Sequence, residues 1–273
     1  MRSDPLVVAG IAAALIASTS VLIGLPLEAP VLFGIPAGVA LVYRFDRTNR
    51  AATEDRHQHH DRRQWMQAHP YYVGATTVLY AAVGGTAFWM LAPAAQAAAA
   101  ALVALGGLYV WPLRGWRLKR IGAAKTIVVT LAWSAGVTVL PLLHVSESVS
   151  PWTLVGLFVY RAGWLFPNIL CSDWADRASD REAGLVTLAH RLGRRGVQHA
   201  AAGAAGLAAL SAGGVAWATG EPLWLAESIA AFGLAFCVFN CPKHPDVTYR
   251  LTLDLYMALP GVIALISWAA GWL

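Results

Sequence analysis

The chain has 273 residues, of which 58% are hydrophobic and 13% are charged, and its mean hydropathy is +0.55. Soluble globular domains carry about twice that share of charged residues, so the composition excludes an ordinary soluble enzyme and predicts an integral membrane protein. The formal net charge of +5 comes from connectors between apolar segments. No exposed basic stretch is interleaved with aromatic residues, so nucleic acid is not an expected partner.

Apolar segments long enough to cross about 30 Å of hydrocarbon as helices recur along the whole chain. We predict nine transmembrane helices in one all-α bundle, so that residues 1–273 form a single polytopic domain in the lipid bilayer. In chain order the predicted spans are 5–24, 30–44, 70–92, 94–112, 124–143, 151–172, 198–219, 223–240 and 250–272. No small-residue cleavage site follows the first span, so we expect no cleavable signal peptide.

Basic residues, except one inside a span, lie in or beside alternate connectors. The connectors LEAP, LAPAAQ, HVSESVS and TGEP contain no Lys or Arg, whereas the loops at about 44–69, 112–125 and 173–197 are long and basic. The positive-inside rule therefore predicts that the N-terminus and these loops are cytoplasmic. We expect an inner (plasma) membrane protein with its chemistry on the cytoplasmic side.

The stretch SDWADRASD, directly after the sixth span, places three carboxylates at the end of a membrane helix. Asp173, Asp176 and Asp180 have the i, i+3, i+7 spacing that shares one helical face. Hard cations such as Mg²⁺ prefer carboxylate oxygens and share them with phosphate. The alternative is a solvated helix end neutralised by Arg177 and Arg181. We favour a metal–diphosphate site, because acidic residues at membrane depth are usually functional.

The longer run SDWADRASDREAGLVTLAHRLG resembles the second aspartate-rich motif of the UbiA-type intramembrane prenyltransferases. The three aspartates match, and Ser172 stands where the motif has Asn. The tail of the motif is matched by Gly184, Thr187, Leu188 and Gly193. LYVWPLRGWRLKRIGAAK is similar to the family's basic segment between helices 4 and 5, and RLTLDLYMALPGVIAL is similar to its ninth helix. The resemblance thus covers the whole chain and implies nine helices, with acidic motifs after helices 2 and 6.

The segment after the second span, VYRFDRTNRAATEDRHQHHDRRQW, departs from the first motif of that family. With Asp46 aligned as the middle aspartate, Val42, Tyr43 and Arg50 replace the Asn and the other two Asp. With Asp46 aligned as the first aspartate, Asn49 and a threonine stand at the other two positions. One firm carboxylate remains in either alignment, so the resemblance implies a divergent member.

The resemblance implies Mg²⁺-dependent transfer of a prenyl group from a polyprenyl diphosphate to an acceptor, usually an aromatic ring, in quinone or lipid biosynthesis. The catalytic and metal-binding residues it implies are Asp173, Asp176, Asp180 and Asp46. The implied diphosphate-binding residues are Lys119, Arg120, Arg114, Lys125 and Asn49. Arg161 and Tyr109 are candidates for acceptor contacts. For Arg161, pairing with a structural partner such as Glu227 is an equal alternative, and Asp254 either orients a basic residue or caps a polar contact between helices.

Two other functions are alternatives. A catalytically silent isoprenoid-binding or transport relative would explain the weak first motif. A CDP-alcohol phosphatidyltransferase also uses clustered aspartates, but its pattern requires a glycine after the first aspartate, where Trp174 follows Asp173 here.

Overall fold

The computed structural model describes residues 5–48, 60–110, 122–145 and 150–270, and every regular element in these ranges is helical. In chain order the helices are α1 (Leu6–Leu22), α2 (Ala29–Thr48), α3 (His60–Ala68), α4 (Pro70–Met90), α5 (Pro93–Val110), α6 (Ala124–His144), α7 (Pro151–Ala175), α8 (Arg177–Glu182), α9 (Leu188–Thr219), α10 (Pro222–Phe239) and α11 (Val247–Ala269). Within α6 a π-helical segment occupies Ala135–Val139. Helices α4, α7 and α10 begin at proline, which lacks the N–H that a first helical turn leaves unpaired.

The predicted all-α membrane architecture is confirmed. In the described part of the chain, eight helices are long and apolar enough to cross a membrane, namely α2, α4 to α7 and α9 to α11. The ninth predicted span corresponds to α1, which is apolar but has 17 residues, so the count of nine stays a prediction. Helix α9 begins at Leu188 rather than near residue 198, and it is kinked at Gly193, whose φ of 65° and ψ of 178° are not helical. The predicted span starts later because the residues on both sides of this kink include charged ones, which a hydropathy pattern does not include.

Tryptophans mark one edge of the bundle. Trp89, Trp152, Trp217 and Trp268 lie near helix ends, the first three beside short connectors and the last at the end of α11, with 80%, 84%, 92% and 64% of their surfaces exposed. Tryptophan is enriched at the membrane–water interface, where its ring is in apolar surroundings and its N–H can reach water. These residues therefore indicate where the bundle meets the interface on the side opposite the basic loops.

The helices are arranged so that the first and last spans are neighbours. Helix α1 packs against both α2 and α11, α2 contacts α4 and α5, and α6 packs against α7. Helix α7 in turn packs on α9, α9 on α10, and α10 on α11. Side chains from α2, α5, α6, α7 and α11 face a common interior cavity, which is where the candidate site lies.

The crossing of α1 and α11 depends on a glycine. A methyl group added to Gly261 would overlap the backbone of Ala14 in α1. Gly261 follows the buried Pro260, so the two helices approach at a point where α11 has no side-chain bulk. Small residues allow such close approach between membrane helices, where dispersion contacts contribute to association.

We expect Gly261→Ala to destabilise the protein by about 1–3 kcal/mol, because the added methyl group forces α1 and α11 apart. Thermal unfolding in detergent can be followed with a thiol-reactive dye, since Cys171 and Cys241 are buried free thiols. The control is Gly10→Ala in α1, where an added methyl group meets no atom within 4 Å. Equal unfolding temperatures for Gly261→Ala and Gly10→Ala would contradict the close-contact argument.

Candidate active site

A lysine joins two aspartates where α6 begins and α7 ends. Lys125 Nζ lies 3.0 Å from Asp173 Oδ1 and 2.9 Å from Asp180 Oδ2. Thr126 Oγ1 donates a hydrogen bond of 2.6 Å to Asp173 Oδ2. Both aspartates are buried. Buried carboxylates need partners that replace water, and Lys125 and Thr126 provide them.

The third aspartate of the motif pairs with a different helix. Arg250 Nη1 in α11 donates to Asp176 Oδ1 at 2.7 Å, and both side chains are about one-third exposed, at 34% and 29%. Asp176 is the junction between α7 and α8, and its N–H still bonds the carbonyl of Ser172 at 3.0 Å. The predicted continuous stripe is therefore broken at Asp176, yet all three carboxylates line the same cavity.

Burial raises the pKa of Asp180 above its ordinary value, and the charges of Asp173 and Asp176 raise it further. Lys125 opposes this shift through its charge and its hydrogen bond. A nearby cation such as Lys125 lowers the pKa of a buried carboxyl because it favours the charged form.

The tail of the acidic motif builds the connection from α8 to α9. Gly184 has φ of +74°, a left-handed conformation that glycine adopts without steric cost. His190 Nδ1 accepts a hydrogen bond of 3.2 Å from the Thr187 N–H, and its Nε2 donates to the carbonyl of Arg177 at 2.8 Å. These contacts hold α8 against the start of α9 and thereby fix the position of Asp180.

Arg177 does not contact the three aspartates. Its guanidinium donates to the carbonyls of Trp174 and Lys243, at 2.8 Å each, and lies 4.0 Å from the centre of the Trp174 ring. The alternative in which Arg177 neutralises the acidic helix end is therefore not the arrangement observed. Lys125 and Arg250, from two other helices, do so instead.

The cavity beside these residues has a volume of about 1900 Å³. Its lining among the described residues includes six aspartates, Asp46, Asp173, Asp176, Asp180, Asp246 and Asp254, and three basic residues, Arg47, Lys125 and Arg250. These charged groups lie near the C-terminal ends of α2 and α7 and the N-terminal ends of α6 and α11, all at one end of the bundle. Towards the other end the walls are apolar and include Phe88, Leu91, Val137 and Leu140.

The structure brings several predicted site residues together. Asp46, in the last turns of α2, and Tyr109, at the end of α5, line the same cavity as the acidic motif and Lys125. The predicted diphosphate-binding residues Arg114, Lys119, Arg120 and Asn49 lie outside the described residues. Their roles remain predictions, as do those of the residues that line the cavity.

Two residues in the site were not predicted for it. To predict that Thr126 belongs to the site would have required knowing that α6 packs against the end of α7. Arg250 had a detectable signal, because it is four positions before Asp254 on a predicted helix, and residues at that spacing share a face. Both Arg250 and Asp254 line the cavity, as does Asn168 of α7, and the two alternatives for Asp254 stay open.

The protein is an intramembrane protein whose long helices surround a cavity. Carboxylates cluster at one end of this cavity, so it is suited to a ligand with a charged head and an apolar body. Residues 66–259 match the UbiA prenyltransferase family, and the chain belongs to that family. The matched region begins after Asp46. This agrees with the observation that the segment around Asp46 differs from the first aspartate-rich motif of the family. A comparison with curated protein sequences gives no match.

Solved structures of the family share the fold. A UbiA homologue from Aeropyrum pernix K1 in its apo form superposes with a TM-score of 0.69 at 12% identity, covering 97% of this chain and 98% of the other. A UbiA homologue from Archaeoglobus fulgidus bound to GPP and Mg²⁺ gives 0.68 at 11% identity, covering 97% and 99%. The same homologue bound to DMAPP and Mg²⁺ gives 0.66 at 13% identity, covering 97% of each chain. At these identities the matches show the fold.

Arg161 lies in a separate buried polar network. Its Nη2 contacts Ser18 Oγ of α1, and Ser18 Oγ donates to Glu227 Oε1 of α10 at 2.7 Å. Tyr160 OH donates to Glu227 Oε2 at 2.6 Å, and the Arg161 guanidinium lies 5.2 Å from the centre of the Tyr160 ring. None of these four residues is among those lining the cavity. The contacts favour the structural alternative for Arg161, and acceptor binding by it stays a prediction.

We expect Glu227→Ala to lower the free energy of unfolding by about 3–5 kcal/mol, because it removes the carboxylate that is linked to the buried Arg161 guanidinium through Ser18 and leaves that charge uncompensated. The double variant Arg161→Met, Glu227→Ala should recover part of that loss, since it removes the uncompensated charge. Unfolding in detergent measures both effects. Additive losses in the double variant would show that Arg161 and Glu227 are not coupled.

Proposed function

We propose that this protein transfers a prenyl group from a prenyl diphosphate to an acceptor within the membrane, in a reaction that uses Mg²⁺. The observation that carries the proposal is the polarity of the cavity, which has clustered carboxylates at one end and apolar walls towards the other. A prenyl diphosphate has the same polarity, with a charged head and a hydrocarbon tail. The Archaeoglobus fulgidus homologue bound to GPP or DMAPP together with Mg²⁺ supports the same substrate class and metal.

The chemistry of the donor set fits Mg²⁺. Four aspartates, Asp46, Asp173, Asp176 and Asp180, line one cavity and offer the hard oxygen ligands that Mg²⁺ prefers. Mg²⁺ held there would neutralise the leaving diphosphate as a Lewis acid and template. The aspartates also outnumber the basic residues in the described lining, so the charged end of the cavity has an excess of negative charge that a metal ion would offset.

Residues of the chain itself would bind and orient the substrate. Lys125 and Arg250 lie at the charged end of the cavity, where positive groups stabilise the charge that develops on a leaving diphosphate. We also assign the predicted Arg114, Lys119 and Arg120 to that role. The role that we propose for Asn49 is contact with the same diphosphate.

The apolar part of the cavity would hold the prenyl chain and keep water from the reacting allylic carbon. Five aromatic side chains among the described residues line the cavity, namely Tyr43, Trp65, Phe88, Tyr109 and Trp133, and π faces stabilise a nearby carbocation. An aromatic acceptor would react beside them. The basic connectors support an orientation in which the charged end of the cavity faces the cytoplasm.

The test is label transfer by the purified protein from labelled geranyl, farnesyl and geranylgeranyl diphosphates to a panel of aromatic, sugar-phosphate and glyceryl-phosphate acceptors. We expect transfer with Mg²⁺ and none with EDTA. Asp176→Ala should reduce turnover on the order of 100-fold, the effect typical of losing a group that stabilises transition-state charge. Its unfolding temperature should remain close to that of the parent protein, since Asp176 is only partly buried.

The matched control is Glu182→Gln, which removes an exposed carboxylate of the same segment that does not line the cavity. This variant should keep parental turnover. Full activity in Asp176→Ala would remove the acidic motif from the catalytic site. Binding of prenyl diphosphate without transfer to any acceptor would instead favour the binding or transport relative.

A further inference from the structure

We infer that Lys125 is an internal counter-ion occupying the place of a divalent cation between Asp173 and Asp180, and that metal and diphosphate therefore bind cooperatively through its displacement. In this scheme the metal takes over the carboxylates as the Lys125 ammonium moves to the diphosphate. The inference rests on the proposed function only in naming a diphosphate as the anion. The exchange of Lys125 for a metal depends on contacts within the chain.

The contacts leave no carboxylate oxygen of Asp173 or Asp180 without a partner. Asp173 Oδ1 is 3.0 Å from Lys125 Nζ, and Asp173 Oδ2 accepts from Thr126. Asp180 Oδ1 and Oδ2 are 3.2 Å and 2.9 Å from the same Nζ. Among the described residues no group of three acidic, histidine or cysteine side chains is arranged as a ready metal site. A metal that uses both aspartates must therefore displace the ammonium.

Charge makes simultaneous occupation unfavourable. Two carboxylates and one ammonium carry a net charge of about −1, and a divalent ion entering beside Lys125 would meet a like charge at close range in a partly dry site. With Lys125 withdrawn, the two carboxylates match the charge of a divalent ion. Free metal consequently competes with Lys125, and its affinity for the protein without diphosphate should be low.

The position of Lys125 favours its release to an anion. It is the second residue of α6, and the N-terminal end of a helix carries partial positive charge that disfavours a cation and favours phosphate. Asp173 and Asp180 hold the ammonium at this helix end although the partial positive charge there repels it. An arriving diphosphate offers Lys125 a new partner beside the same helix end, while its own charge attracts the metal. Each ligand therefore removes an obstacle to the other.

Asp176 is arranged differently from the other two aspartates. It is 29% exposed, and its Oδ1 pairs with Arg250 of α11 rather than with Lys125. The ammonium therefore blocks one pair of carboxylates, and its removal should matter more for metal binding than removal of a basic residue elsewhere in the motif. Arg181 provides that comparison, because it has the same charge and directly follows Asp180, but it is exposed and is not among the residues lining the cavity.

The experiment measures binding of Mn²⁺ to the full-length protein in nanodiscs by electron paramagnetic resonance, at buffered free Mn²⁺, with and without the unreactive analogue geranyl S-thiolodiphosphate. For the parent protein we expect the analogue to tighten Mn²⁺ binding about tenfold or more, within the usual range of coupling between sites. For Lys125→Gln we expect Mn²⁺ alone to bind about tenfold or more tightly, because a like charge has gone. The analogue should add little further tightening in this variant.

Arg181→Gln is the charge-matched control and should bind Mn²⁺ like the parent protein. Lys125→Met serves as the second variant if Lys125→Gln unfolds, because it keeps the length of the side chain without its charge. Unchanged Mn²⁺ affinity in a folded Lys125 variant, or equal tightening in Arg181→Gln, would overturn the inference. Tighter Mn²⁺ binding in the Lys125 variants without prenyl transfer by the parent protein would support the counter-ion role and reject the proposed function.

Discussion

The contacts of Lys125 and Arg250 with the three motif aspartates are the interaction on which the rest of the site depends. Carboxylates next to an apolar cavity would take up protons unless cations lie close to them. The two cations come from α6 and α11, whereas the aspartates belong to α7, α8 and the junction between them. The ends of these helices must therefore meet at one level of the bundle. The cavity has a charged end and an apolar remainder for the same reason.

The scaffold holds the aspartates in place without using their side chains. Gly184 turns the chain after α8, His190 joins the start of α9 to the carbonyl of Arg177, and Arg177 joins α8 to the segment before α11. The carboxylates are consequently free to exchange partners while the backbone that carries them stays fixed. Such pre-organisation is what electrostatic stabilisation of a leaving group requires, since donors and ligands need not reorganise during the reaction.

The predictable part of this protein follows from local patterns. Apolar length identified the membrane helices, and the spacing of Asp173, Asp176 and Asp180 with the motif tail identified the acidic segment. What was missed depends on packing between distant helices. Thr126 reaches Asp173 across 47 residues and Arg250 reaches Asp176 across 74 residues, and no local pattern encodes those pairings. The break in the acidic stripe at Asp176 was missed because hydropathy and residue spacing do not show where one helix ends and the next begins.

Two of the buried charge clusters in the part of the bundle that the structure describes have different surroundings, and the difference bears on function. Arg161 and Glu227 are fully buried, linked through Ser18 and Tyr160, and away from the cavity, so neither can exchange its partner without opening the helix packing. Lys125 pairs directly with Asp173 and Asp180, but its side chain is 17% exposed and faces a cavity of about 1900 Å³. A charge with a cavity beside it can leave one partner for another at little steric cost. Access to the cavity, rather than burial or charge alone, therefore separates the cluster that binds helices together from the one suited to ligands.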